Sequence, residues 1–457
     1  MVHLTTALDA SSGVPLYEQL YRSLAGEMRS GTLAAGTRMP GKRRLAAELS
    51  VSVNTVDAAY QMLAAEGYLE SRERSGFYVQ EYLALPSRPA GGPEQPAPPK
   101  PEPPVLPVRY DLSTRGVDPE LFPFRTWARL QKELLYSSPQ LLTHGDAQGD
   151  PALRQALAEF HGRLPAEIVC GNGGADVIFR IAHALKPQHA LLPVPAFSEY
   201  EAALHEAGCH VTHWNMPFPY QITPALLDEL RQGNYDFLVL CNPNNPTGTG
   251  IPPALLEQLL HLAAEKHVFV LLDECFCDMA ETEPDIVSMI PRLSEFPHVL
   301  VLKSLTKLYA LAGLRLGYGI CSDQKVTAKI AHTGQPWSVN LLAEAAGIAA
   351  LSAEDYRKMS LEFLQNERWR LFDELGKLGF RMWKPSANYV FFQAEQCPDL
   401  DRQLLPYGIL LRHCDTYDGL DATYYRAAVR LPEENQYLLH CLRCILGEEG
   451  LLWQQNH

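Results

Sequence analysis

Between Pro86 and Pro107 the chain carries prolines at 86, 89, 93, 96, 98, 99, 101, 103, 104 and 107, mixed with alanine, glycine and glutamate. A stretch with so few backbone donors and so little apolar surface does not join a packed core, and it reads as an extended, semi-rigid spacer. No other part of the 457 residues looks like it. The sequence therefore predicts a small unit over 1–85, a linker over 86–107 and a large unit over 108–457. The length suits one small and one large domain, and 46% hydrophobic with 20% charged residues is ordinary globular composition.

The formal net charge of -14 argues against a chain that coats nucleic acid without specificity. Recognition depends on local charge, however, and Arg38, Lys42, Arg43 and Arg44 stand together with no acidic residue among them. The ten cysteines show no paired CxxC arrangement, which points to reduced structural thiols and no metal site. The sequence shows no basic N-terminal segment leading into an apolar run and no stretch of roughly 18 apolar residues, so a cytoplasmic protein without a membrane partner is expected.

In the small unit, Leu16, Leu20, Leu24 and Met28 form one apolar stripe of an amphipathic helix that Gly31 closes. A second helix is expected over Lys42 to Leu49, then a turn at Ser50-Val51-Ser52. Ser52 is the candidate N-cap of a third helix running to about Glu66, with Val56, Tyr60 and Leu63 inward and Asn54, Thr55 and Asp57 outward. Tyr68-Leu69-Glu70 and Gly76-Phe77-Tyr78-Val79 read as two short strands. Helix, helix-turn-helix and two-stranded wing in that order suit a reader of double-stranded DNA. The start of the third helix would lie in the major groove, and basic side chains and helix N-termini would hold phosphates. The candidate DNA contacts are Arg38, Lys42, Arg43, Ser52, Asn54 and Thr55; the plainer alternative is a three-helix module with solvated charges.

In the large unit, three apolar runs each end in polar residues. Phe237 to Leu240 leads into Asn242-Pro243-Asn244-Asn245-Pro246-Thr247-Gly248, Val268 to Leu272 into Asp273-Glu274, and Val299 to Leu302 into Lys303-Ser304-Leu305-Thr306-Lys307. A helical pattern from Pro252 to Lys266 crosses between the first two, so parallel strands presenting chemistry at their carboxyl ends are expected. Gly171-Asn172-Gly173-Gly174-Ala175-Asp176 precedes an apolar helix, a pattern suited to holding a phosphate on backbone N–H groups.

Gly31 to Pro40, Arg43, Leu45-Ala46, Asn54-Thr55-Val56, Ala59-Tyr60, Glu66 to Glu70 and Ser75-Gly76 resemble the GntR family over about residues 13–80. Two positions depart from it: Gly41 stands where the family usually has a serine, and Val53 where it usually has an arginine. The motifs of the large unit, taken together and in this order, resemble the fold-type I pyridoxal-phosphate enzymes over about residues 110–445. That resemblance implies an α/β fold, a mainly parallel sheet flanked by helices with a small C-terminal domain, and pyridoxal 5'-phosphate as cofactor. It implies Lys307 as the Schiff-base lysine, Asp273 facing the pyridine nitrogen, and Asn245 donating to the ring hydroxyl. Phe197 would stack on the ring, and Gly174, Ala175, Ser304 and Arg315 would hold the phosphate. Arg426 is the first candidate for a substrate carboxylate and Arg430 the second. Phe276 and His144 stand where relatives often carry tyrosines.

The order of the two units resembles the MocR/GabR regulators, as does Leu121 to Trp127. Pro195 to Glu201, Ser304 to Lys307, Pro336 to Asn340 and Arg426 to Asn435 are more similar to threonine-phosphate decarboxylase and histidinol-phosphate aminotransferase. The resemblance implies a homodimeric transcriptional regulator that binds a DNA operator and responds to the cofactor, to an amino acid or amine effector, or to both. The alternative is an active aminotransferase or phosphothreonine-type decarboxylase with a fused DNA-binding domain.

Overall fold

The computed structural model describes residues 8, 14–72, 75–80, 108–113, 124–137, 146–280, 283–284 and 286–447. The proline-rich linker over 86–107, His144 and the start of the Leu121 to Trp127 segment lie outside the described residues. The chain divides into two compact units, Met1–Pro103 and Pro104–His457.

In the first unit, α1 (Leu16–Arg29) buries Leu20, Leu24 and Met28 of the expected stripe with Ala25 beside them, while Leu16 is half-buried. Next come α2 (Lys42–Glu48) and α3 (Val53–Ala65). The Ser52 hydroxyl accepts the Thr55 N–H at 3.0 Å, so the third helix starts on a side-chain cap. The wing is an antiparallel pair, β1 (Leu69–Arg72) and β2 (Gly76–Val79), with Leu69 opposite Val79. Its first strand starts one residue later than the sequence suggests, because Gly67 at φ +79 turns the chain and Tyr68 still closes the helix end on the Leu63 carbonyl. Leu45, Val56, Ala59, Tyr60 and Leu63 pack against α1 with no exposed surface. The Tyr60 hydroxyl also donates to the Pro40 carbonyl at 2.9 Å, tying the loop that bears Arg38 to α3.

The second unit is built on a seven-stranded sheet. Its order is Ile168–Gly171, Gly317–Ile320, Val299–Ser304, Phe269–Asp273, Phe237–Cys241, His189–Val194 and His210–Asn215. All neighbours are parallel except Gly317–Ile320, which runs antiparallel to both of its partners. The three strands read from the sequence are the middle of this sheet, and their burial, complete but for the half-buried Phe269, explains the unbroken apolar runs. The Pro253–Glu265 helix makes the expected crossover. Because these strands are parallel and in register, Cys241, Asp273 and Ser304 leave the sheet at the same edge. A smaller antiparallel sheet, Arg381–Met382, Tyr389–Gln393, Tyr424–Ala428 and Arg412–His413, packs against the Glu354–Lys377 helix. Among the described residues no helix is long and apolar enough to cross a membrane, and all ten cysteines are free thiols.

Candidate functional site

On the first unit the candidate DNA contacts gather around the N-termini of α2 and α3 and the loop before α2. Arg38, Arg43, Ser52 and Asn54 are exposed and Thr55 is half-buried. Lys42 is drawn into an ion pair with Asp57 and lies 5.1 Å from the Phe77 ring centroid, so its charge bridges α2, α3 and the wing. Gly41 caps α2 without a side-chain bond, and Val53, 43% exposed, places an apolar side chain at the first position of α3.

On the second unit, glycines and a guanidinium draw together where the Gly174–Leu185 helix begins. That helix has no side-chain cap, so its first N–H groups, at Gly174 and Ala175, face outward from the turn. Gly173 sits at φ +87, and a Cβ there would lie 2.5 Å from the Arg315 guanidinium. A Cβ on Gly317 would lie 2.6 Å from the Gly173 carbonyl carbon and the Gly174 nitrogen. Only glycine permits these approaches, and they bring backbone donors and a guanidinium to one place, the donor set a phosphate dianion needs. Ser304 pairs with Gly317 across the strands, its hydroxyl 2.7 Å from that of Thr306. Asp176 in the helix's first turn is neutralised by Arg180 at 3.1 Å.

Asp273 ends the central strand and is 6% exposed. Its Oδ1 accepts the Cys275 N–H at 2.8 Å and its Oδ2 accepts the Tyr200 hydroxyl. Lys307 follows the neighbouring strand, with its Nζ 5.7 Å from the centroid of the buried Phe276 ring. Asn245, 3% exposed, accepts a 2.8 Å hydrogen bond from Arg426 Nη1, which joins the small sheet to the loop after Phe237–Cys241. The Arg426 guanidinium stands 4.7 Å over the Tyr389 ring. Phe197 precedes the Ser198–Glu206 helix and meets Tyr200 edge to face. Arg430 is turned to Glu434 at 3.4 Å, in the first turn of the last helix. The glycine cradle, a buried carboxylate, an amine and an amide-bonded guanidinium are the groups that pyridoxal phosphate and an amino acid on it require, so the residues present fit that cofactor.

Three features escape the sequence reading. Tyr200 is one. Arg412 is another: it lies directly opposite Arg426 across the antiparallel pair, and its Nε has no hydrogen-bond partner among the described residues. Cross-strand neighbours share a face of the sheet, and two like charges there repel unless an anion lies between them. The third is an ionic group under the sheet edge, where Lys303, 1% exposed, bonds Asp278 at 2.5 Å. Burial alone would lower the Lys303 pKa, but Asp278, Cys277 and Glu274 raise it overall and keep the amine protonated. A protonated amine held in a buried ion pair is no nucleophile, so Lys303 is not a candidate for the Schiff-base amine.

His161, 2.9 Å from the Tyr318 hydroxyl, borders this group. Burial first and the Lys303 charge second lower its pKa from 6.5 to about 4. The folded imidazole thus stays neutral where the unfolded one takes a proton. Its contribution is fully present above about pH 6.5 and is lost as pH falls towards 4, with roughly 2 kcal/mol gone by pH 5. Urea midpoints at pH 7 and pH 5 should therefore lie closer together in His161→Gln than in the wild type; an equal separation would contradict this reading.

The family described as aminotransferase class I and II matches residues 117–440, and that described as bacterial regulatory proteins, gntR family, matches residues 16–79. Threonine-phosphate decarboxylase of Salmonella typhimurium is 40% identical over 299 residues, which are 64% of this chain and 81% of the relative. Histidinol-phosphate aminotransferase 2 of Carboxydothermus hydrogenoformans is 30% identical over 303 residues, 64% of this chain and 81% of the relative. Among solved structures, the histidinol-phosphate aminotransferase from Clostridium acetobutylicum superimposes with a TM-score of 0.67 at 26% identity, covering 74% of this chain and 99% of that one.

Proposed function

We propose that this chain, which belongs to the class I and II aminotransferases and carries a gntR-family DNA-binding domain ahead of that fold, is a transcriptional regulator that senses an amino compound through its pyridoxal-phosphate site. The reading is supported by residues that fit a cofactor and an amine standing on the same chain as a gntR-family domain. When bound, pyridoxal 5'-phosphate supplies a reactive carbonyl conjugated to an electron-withdrawing ring.

The chain's own residues then divide the work. Gly174, Ala175, Ser304 and Arg315 hold the phosphate, and Phe197 covers one face of the ring. Asp273 would hold a proton at the ring nitrogen, Asn245 would donate to the ring hydroxyl, and Lys307 would supply the amine that anchors the cofactor. Arg426 orients the effector's carboxylate in a bidentate grip that its planar fork favours. Arg412 stands ready for a second anion, and the two relatives named above act on phosphorylated compounds by their names. The effector or substrate class is accordingly an amino acid bearing a phosphate.

For the signal to reach DNA, the effector must bind two states of the protein with different affinity. A homodimer acting in the cytoplasm supplies such states, since two reader domains engage two half-sites whose spacing depends on dimer geometry. The competing reading, a working decarboxylase or aminotransferase that carries its own DNA reader, draws on the 40% identity to a decarboxylase. Incubating the cofactor-loaded protein with O-phosphothreonine, alanine or glutamate separates the two. The regulator reading expects a change in the cofactor's absorption without accumulating product, whereas sustained product formation that disappears in Lys307→Ala would replace it with the enzyme reading.

A further inference from the structure

We propose that Tyr200 is a positioning residue for Asp273, and that its hydroxyl and the Cys275 N–H together fix the carboxylate so that its remaining lone pairs meet the ring nitrogen of pyridoxal phosphate. The inference rests on the cofactor assignment and extends it to a residue outside the expected site.

Tyr200 is 1% exposed and Asp273 is 6% exposed. A phenol in so dry a place needs a hydrogen-bond partner, and this one donates to Asp273 Oδ2. With Oδ1 already held by the Cys275 N–H at 2.8 Å, neither oxygen can turn without breaking a bond. The placement of Tyr200 in the chain supports the same conclusion. It lies in the first turn of the Ser198–Glu206 helix, and its ring meets that of Phe197 at 5.7 Å and 88°. One helix start thus carries both the ring expected against the cofactor's face and the donor behind the carboxylate expected at its nitrogen.

The other titratable groups around this point are the Cys241 thiol at the end of Phe237–Cys241, the Cys275 thiol after Phe269–Asp273, and Lys307 after Val299–Ser304. Burial, and after it the charge of Asp273, push both the Tyr200 phenol and the Cys275 thiol well above their usual ranges. Tyr200 therefore remains a protonated donor at neutral pH, and the bond to the carboxylate persists.

Tyr200→Phe keeps the ring and removes only the donor. The test is to load full-length protein with pyridoxal phosphate carrying 15N in the ring, record the bound 15N resonance at neutral pH, and measure the cofactor's Kd. The wild type should show a pyridinium resonance. In Tyr200→Phe the resonance should move towards that of Asp273→Asn, and Kd should rise roughly tenfold, the size expected for losing one hydrogen bond to a charged group. An unchanged resonance with an unchanged Kd would reduce Tyr200 to core packing and overturn the proposal. Should the variant fail to fold, 3-fluorotyrosine at position 200 of the otherwise native protein gives a second readout. Its 19F resonance should move on cofactor loading, and a resonance that ignores loading would overturn the proposal equally. A wild-type protein that takes up no pyridoxal phosphate would instead overturn the cofactor assignment beneath it.

Discussion

Replacing Lys307 by alanine is expected to abolish the covalent link between the chain and pyridoxal phosphate. The reason is chemical isolation. The other lysine close to the site, Lys303, is buried and bonded to Asp278 at 2.5 Å, where its charge is held, so it cannot take over as a nucleophile. The phosphate contacts proposed at the Gly173–Gly174 turn and Arg315 would not depend on Lys307, so the variant should retain reversible cofactor binding. The DNA reader, a separate compact unit, should keep its affinity for DNA in the absence of effector. Reduction with borohydride followed by mass spectrometry checks this directly: the wild type should gain the mass of one reduced cofactor and Lys307→Ala should gain none. A labelled variant would place the anchoring amine elsewhere.

The second large effect is expected at Arg426. Its guanidinium is 2% exposed, bonded to Asn245 at 2.8 Å and stacked over Tyr389. Arg426→Leu removes the proposed carboxylate grip and leaves the buried Asn245 oxygen without its donor. Losing a desolvated charge pair costs about 2–5 kcal/mol, which corresponds to a fall in amino acid affinity of roughly 30-fold or more. Arg412→Leu should act differently, because it leaves the Asn245 bond intact. It should weaken phosphorylated amino acids far more than their unphosphorylated counterparts, while Arg426→Leu weakens both. Titration of the cofactor's absorption with O-phosphothreonine and threonine in both variants measures the four numbers. Equal losses for the two ligands in Arg412→Leu would remove the second anion from the account.

What the sequence makes legible follows from locality. The apolar stripe of α1, the Ser52 cap and the Pro253–Glu265 crossover are set by residues close in the chain, so periodicity and capping chemistry reveal them. The ends of the three central strands are also local, since each apolar run stops where its polar residues begin. Their meeting at one sheet edge needs only the parallel rule. By contrast, Arg412 acquires its place from antiparallel register with Arg426, and a short strand such as Arg412–His413 carries no periodic signal of its own. Tyr200 meets Asp273 across 73 positions, and nothing near either residue announces the other. The antiparallel Gly317–Ile320 strand is hidden for a related reason: Gly317 is required by the close approach of Gly173 and Gly174, Gly319 faces the Leu300 side chain, and the two glycines dilute the strand signal. Arg430, two residues beyond the Tyr424–Ala428 strand, resembles Arg426 in sequence, and only the fold shows that Glu434 holds it.

Occupancy of the amine site should be coupled to DNA affinity. The most direct measurement is a set of binding isotherms of full-length, cofactor-loaded protein on an operator selected from a random DNA library, at fixed salt, with and without saturating O-phosphothreonine. The effector should change the DNA Kd by about 5-fold or more, the usual scale of a coupling free energy. Identical isotherms with and without effector, from a protein that turns the compound over, would contradict it.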